Sequence, residues 1–171
     1  LDPDNDVEFI LSGATDLRFE KMQRHEIDAS LLNFPFDRML LYEGFERVGT
    51  VAQSIGPYEG VCVQPTRDWF DRNENLADRF LCGFRRAIGF VCNEDNKDKV
   101  EGGFREILGE TDTDLAGCLY NDLIGRSDGL APDGRFSRAG IETVCALNRR
   151  FSDKPFQGEP YTLIHPGALA D

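Results

Sequence analysis

The run Val7-Glu8-Phe9-Ile10-Leu11-Ser12-Gly13-Ala14-Thr15 decides the fold to expect, together with Ile27-Asp28-Ala29-Ser30-Leu31-Leu32-Asn33-Phe34-Pro35-Phe36-Asp37. Residues 7–11 and 27–32 are short, largely apolar runs of strand length. Each is followed by a turn signal, with Gly13 in the first and Pro35 in the second. Residues 7–49 therefore read strand, turn, helix, strand, turn, helix, strand. That alternation predicts an α/β fold built on a parallel sheet with helices on its faces. Ligands of such sheets bind beyond the carboxyl ends of the strands. The turns 12–15 and 33–37 lie at those ends and locate a candidate site.

Downstream, residues 58–64 read as one more strand, ended by Pro65. Helices dominate after it. Thr66 is placed to cap a short helix over 67–72. A longer helix is expected from Asn73 or Asn75 to about Cys92, with Leu76, Phe80, Phe84, Ala87, Ile88 and Val91 as its apolar stripe. Gly83 and Gly89 weaken that helix or mark close packing. Val100, Phe104 and Ile107 or Leu108 line another helix, with Gly102-Gly103 placed to break its start. Thr111 or Thr113 caps the next, whose inward face is Leu115, Leu119 and Leu123. Pro132-Asp133-Gly134 signals a turn. Ser137 then caps a helix to about Arg150, and the proline-bearing tail after Ser152 reads as irregular.

Composition sets outer limits. A length of 171 residues with 40% hydrophobic content allows a medium domain with a real core. No run approaches the roughly 18 apolar residues of a membrane helix. A net charge of −12 and a pI near 4.6 oppose binding to nucleic acid, where Lys and Arg must meet phosphates. The opening Leu1-Asp2-Pro3-Asp4 is acidic and lacks Met, so a mature product or a fragment is expected. Cys62, Cys82, Cys92, Cys118 and Cys145 form no CxxC pair and sit among apolar neighbours, so they read as small buried hydrophobes. Five thiols fit a reducing compartment slightly better than an oxidising one. His25 and His165 make no zinc pattern. No nucleophile elbow, phosphate loop or dinucleotide fingerprint is present, and no catalytic residue, metal or cofactor is expected.

Several motifs carry a family resemblance. They are Asp6-Val7-Glu8-Phe9, Gly13, Arg18, Glu26-Ile27-Asp28-Ala29, Pro35-Phe36-Asp37 and Glu43-Gly44-Phe45, then Tyr58-Glu59-Gly60-Val61 and Leu130-Ala131-Pro132-Asp133-Gly134-Arg135-Phe136-Ser137 with Gly140-Ile141. In this order and spacing the chain resembles the second lobe of periplasmic substrate-binding proteins of ABC importers, of the nitrate/sulfonate/taurine and thiamine-precursor type. The resemblance implies a partial fold of periplasmic-binding-protein type II. Residues 1–56 would form the α/β part of lobe two. Residues 57–171 would hold a crossing strand and the helical carboxyl-terminal part of lobe one. The strands of lobe one would lie upstream, leaving half a cleft here and weak or absent ligand binding. His25 stands where the family often has Gly, in a left-handed helix end.

What the resemblance implies for function is capture of a small anionic or heteroaromatic ligand in an interlobe cleft and delivery to an ABC permease in the membrane. No chemistry and no cofactor are involved. The expected setting is periplasmic or extracytoplasmic, with the cysteines leaving a cytoplasmic one open. Candidate ligand-binding residues are Ser12, Gly13, Ala14 and Thr15 at the first turn, Asn33, Phe34, Pro35 and Phe36 at the second, and Tyr58 at the hinge. Free backbone N–H groups and the positive end of a helix favour an anion at the first turn, with Asp16 opposing it. The alternative there is that Ser12 or Thr15 merely caps the helix. The alternative at the second turn is a pair of core phenylalanines. Two rival functions share the fold: an enzyme like the thiamine-pyrimidine synthases, disfavoured by the unclustered cysteines, and the effector domain of a transcription regulator.

Overall fold

A computed structural model describes residues 2–109, 112–125 and 129–168. The chain forms two compact units, Leu1–Val48 and Gly49–Asp171. The expected α/β architecture is overturned. Among the described residues there is no β-sheet, and the one isolated bridge residue is Phe136. Residues 7–11, 27–32 and 58–64 form no ladder. Phe9 is 82%, Leu11 101% and Val61 81% exposed. A parallel strand needs hydrogen-bonding neighbours on its edges and helices over both faces. These runs have the local composition of such strands but find no partner strand, so the lobe-two sheet and the crossing strand are both absent.

Among the described residues the first unit holds two helices, α1 (Thr15–Gln23) and α2 (Phe36–Tyr42). Phe19, Met22 and Leu40 are its buried core, with Ile27, Leu32, Phe36, Met39 and Phe45 packed around them. Contacts follow the same order along both helices. The Phe19 and Phe36 rings lie 5.1 Å apart, Gln23 Nε2 donates to Glu43 Oε1 at 2.8 Å, and the His25 and Phe45 rings stack at 5.7 Å. The helices therefore run in the same direction, and the turns that lead into them lie toward one end of the unit. At the other end α1 closes as expected in left-handed conformation, with His25 at φ +54°. His25 N–H donates to Met22 C=O and Glu26 N–H to Lys21 C=O, the paired bonds of a Schellman closure.

The second unit holds six helices among the described residues: α3 (Val51–Ile55), α4 (Arg67–Arg72), α5 (Glu74–Cys92), α6 (Lys97–Leu108), α7 (Thr113–Gly125) and α8 (Arg138–Phe151). Side-chain caps set several of their starts. Thr66 Oγ1 accepts from Trp69 N–H at 3.3 Å, and Ser137 Oγ accepts from Gly140 N–H at 3.2 Å. At α7 the cap is Asp112, whose carboxylate accepts from the Asp114 and Leu115 N–H groups. Thr113 is instead the first helical residue, and Thr111 lies outside the described residues. Gly102-Gly103 does not break α6, which runs through both. Helices α6 and α7 pack antiparallel, with Lys97 over the Tyr120 ring and Gly117 beside Glu101. Leu115, Ala116, Leu119 and Tyr120 are buried on α7.

The long helix α5 departs from expectation on one face. Of its apolar stripe only Ile88 is buried, while Leu76, Phe80 and Phe84 are 50%, 50% and 41% exposed. Nothing lies within 4 Å of a Cβ added at Gly83 or Gly89, so neither glycine marks close packing. None of the five cysteines is fully buried. Cys62 and Cys82 are exposed and all five thiols are free, which corrects the expectation of buried small hydrophobes. Two short 3₁₀ turns order the tail, Pro160–Leu163 and Pro166–Ala168.

Candidate functional site

The first predicted turn brings several ligand-competent groups together in the first unit. Gly13 adopts φ +77°, a conformation that suits a residue without a side chain, and this turns the chain into α1. Ala14 is the N-cap and supplies no side-chain acceptor. Neither Ser12 nor Thr15 caps the helix. Ser12 Oγ donates to the Ile10 carbonyl at 3.2 Å and accepts from Lys21 Nζ at 3.4 Å. Thr15 Oγ1 accepts from Arg18 Nη2 at 2.8 Å. The N–H groups of Thr15 and Asp16 have no acceptor among the described residues, which leaves part of the helix's positive end unneutralised.

Two cations thus lie beside an uncapped helix start in a protein of net charge −12. Arg18 Nε is buried and has no hydrogen-bond partner among the described residues. Asp16 supplies the opposing charge, and its carboxylate turns back to accept from Leu17 N–H at 2.9 Å. Guanidinium, ammonium, hydroxyls and free N–H groups together suit a small oxyanion. Lys21 was not among the residues expected at the site, and Arg18 was noted only within the resembling motif. Their signal was positional. Three and six residues beyond Thr15, they fall within reach of the first turn of the same helix.

The second turn divides by role. Phe36 faces Phe19 in the core and is not presented to a ligand. Phe34 and Pro35 are half-buried, and their peptide bond is cis. Asn33 is exposed, with its carbonyl accepting from Asp37 N–H at 3.3 Å. Only Asn33 of this set has its side chain open to solvent at the end shared with 12–15. Tyr58 belongs to the second unit, is 46% exposed and lies against Gly60. Its neighbour Glu59 bonds the start of α8, Oε1 accepting from Ser137 N–H at 2.7 Å.

A cleft lies elsewhere, in the second unit, between α5 and the segment around His165. No residue of it was singled out for ligand binding from the sequence. Among the described residues no group of His, Cys, Asp or Glu is arranged to hold a metal ion. Among the described residues no helix is long and apolar enough to cross a membrane. Compared with known proteins, the chain matches no family model, no curated protein and no solved structure. The resemblance to solute-binding proteins therefore rests on its short motifs alone.

Proposed function

We propose that this chain is a binding protein for a small oxyanion, serving as the solute-binding component of an ABC-type import system in an extracytoplasmic setting. The observation that carries the anion reading is the open start of α1. No side chain caps it, and Ser12, Thr15, Arg18 and Lys21 surround it. The import role is drawn from the ordered motifs of the resemblance. The sheet that the same resemblance implies is absent among the described residues, so the fold counts against this part of the reading. Asp16 opposes the ligand, so the full chain alone is expected to bind in the millimolar range.

The test is an amide-resolved NMR titration of the full chain with inorganic sulfate and with methanesulfonate, at constant ionic strength. Saturable shifts at Thr15 and Asp16 are expected, weakened about tenfold in Arg18→Ala or Lys21→Ala, as befits loss of one charge-assisted bond. Static resonances at those two amides, or shifts untouched by either substitution, overturn the proposal.

A further inference from the structure

The cleft of the second unit has a volume of about 490 Å³ and is lined by Asp78, Leu81, Cys82, Arg85, Arg86, His165 and Gly167. Small-molecule sites commonly enclose roughly 300–1,000 Å³, with mostly apolar walls and a few placed polar groups. Positions 78, 81, 82, 85 and 86 recur at helical spacing, so a single face of α5 forms one wall. The 165–167 segment forms the other. It is tied to α5 by Arg85, whose Nη2 donates to the Gly167 carbonyl. It is also braced internally, because Gly167 N–H donates to His165 Nδ1 at 3.2 Å. The other ring nitrogen, Nε2, faces Asp78 Oδ1 at 3.4 Å. The Phe70 ring meets the imidazole edge-on at 5.6 Å.

We infer that this cleft binds a small organic monoanion, a carboxylate carried on an apolar body. Charge decides the class. Arg85 and Arg86 contribute two positive charges and Asp78 one negative. The remaining single positive charge matches a monoanion and leaves a phosphate dianion in excess. Geometry decides the contact. Arg85 is committed to the Gly167 carbonyl, whereas Arg86 is exposed and has no ion-pair partner among the described residues. Arg86 is thus the guanidinium open to a bidentate carboxylate. Leu81 and the stem of Arg85 supply apolar surface beside it.

Cys82 gives a built-in reporter, since it is exposed, lines the cleft and carries a free thiol. Cys62, also exposed and free, is outside the lining and serves as the internal control. Alkylation of the full chain by iodoacetamide is followed at each cysteine by mass spectrometry, with sodium benzoate against sodium chloride at equal ionic strength. Benzoate is expected to slow Cys82 saturably, by about tenfold at about ten times its half-saturating concentration, with Cys62 unchanged. Arg86→Ala, a change at an exposed position, is expected to abolish the protection. The double variant Arg18→Ala/Lys21→Ala is expected to retain it, which separates this cleft from the anion site of the first unit. No protection of Cys82, equal slowing at Cys62, protection that survives Arg86→Ala, or equal protection by inorganic phosphate each overturns the inference.

Discussion

His25 shows how much one residue's backbone can matter here. It holds φ +54° at the end of α1, where a side chain crowds the following carbonyl. The left-handed conformation costs a non-glycine residue about 1–2 kcal/mol. Its ring recovers part of that by stacking on Phe45. His25→Gly and His25→Ala both lose the ring, and only the glycine variant loses the strain. His25→Gly is therefore expected to exceed His25→Ala in stability by about 1 kcal/mol in urea melts. Equal midpoints would show that the Schellman closure tolerates a side chain without penalty. This position was anticipated through the resemblance, where Gly often stands at the helix end, and histidine accepts the left-handed region better than most residues. Asp112 was not singled out as the cap of α7, because Thr111 and Thr113 flank it with the same capping chemistry and only geometry picks among the three.

At the scale of elements, helices were readable and strands were not. A helix start is a local event, so Thr66 and Ser137 announced α4 and α8. The same logic was available for α3, where Thr50 and Gln53 form a reciprocal capping box, and that signal was missed. Strand pairing depends on distant partners, and no local pattern in residues 7–11 or 58–64 reports whether a neighbour exists. The candidate turn at 12–15 was legible for the same reason that helices were: it belongs to the start of α1. The cleft between α5 and the 165–167 segment was not, because its walls are separated by about eighty positions of chain and meet only through tertiary packing. Helix α5 also invites a direct measurement. Gly83 and Gly89 sit in its interior with open space where a Cβ would go. Gly83→Ala and Gly89→Ala are each expected to stabilise the second unit by about 1 kcal/mol and to raise its melting temperature by about 2–4 °C. A fall in either variant would reveal a contact on that face.

For the whole molecule, apolar surface and charge oppose one another. Leu76, Phe80 and Phe84 leave a stripe of α5 in water, with the Phe80 and Phe84 rings stacked 6.0 Å apart. A patch of this kind attracts its equivalent on another molecule. What resists that attraction at neutral pH is the excess of 31 acidic over 19 basic residues. Acidification removes the resistance while leaving the stripe in place. Turbidity is therefore expected to rise steeply as pH falls from 7 toward the isoelectric point near 4.6 and to clear on neutralisation. Replacing Phe80 and Phe84 with serine should shift the onset of clouding to lower pH; an unchanged onset would assign the attraction to another surface. The uncovered phenylalanines of α5 thus make mutual repulsion the colloidal safeguard of this protein, and mild acid the condition under which it fails.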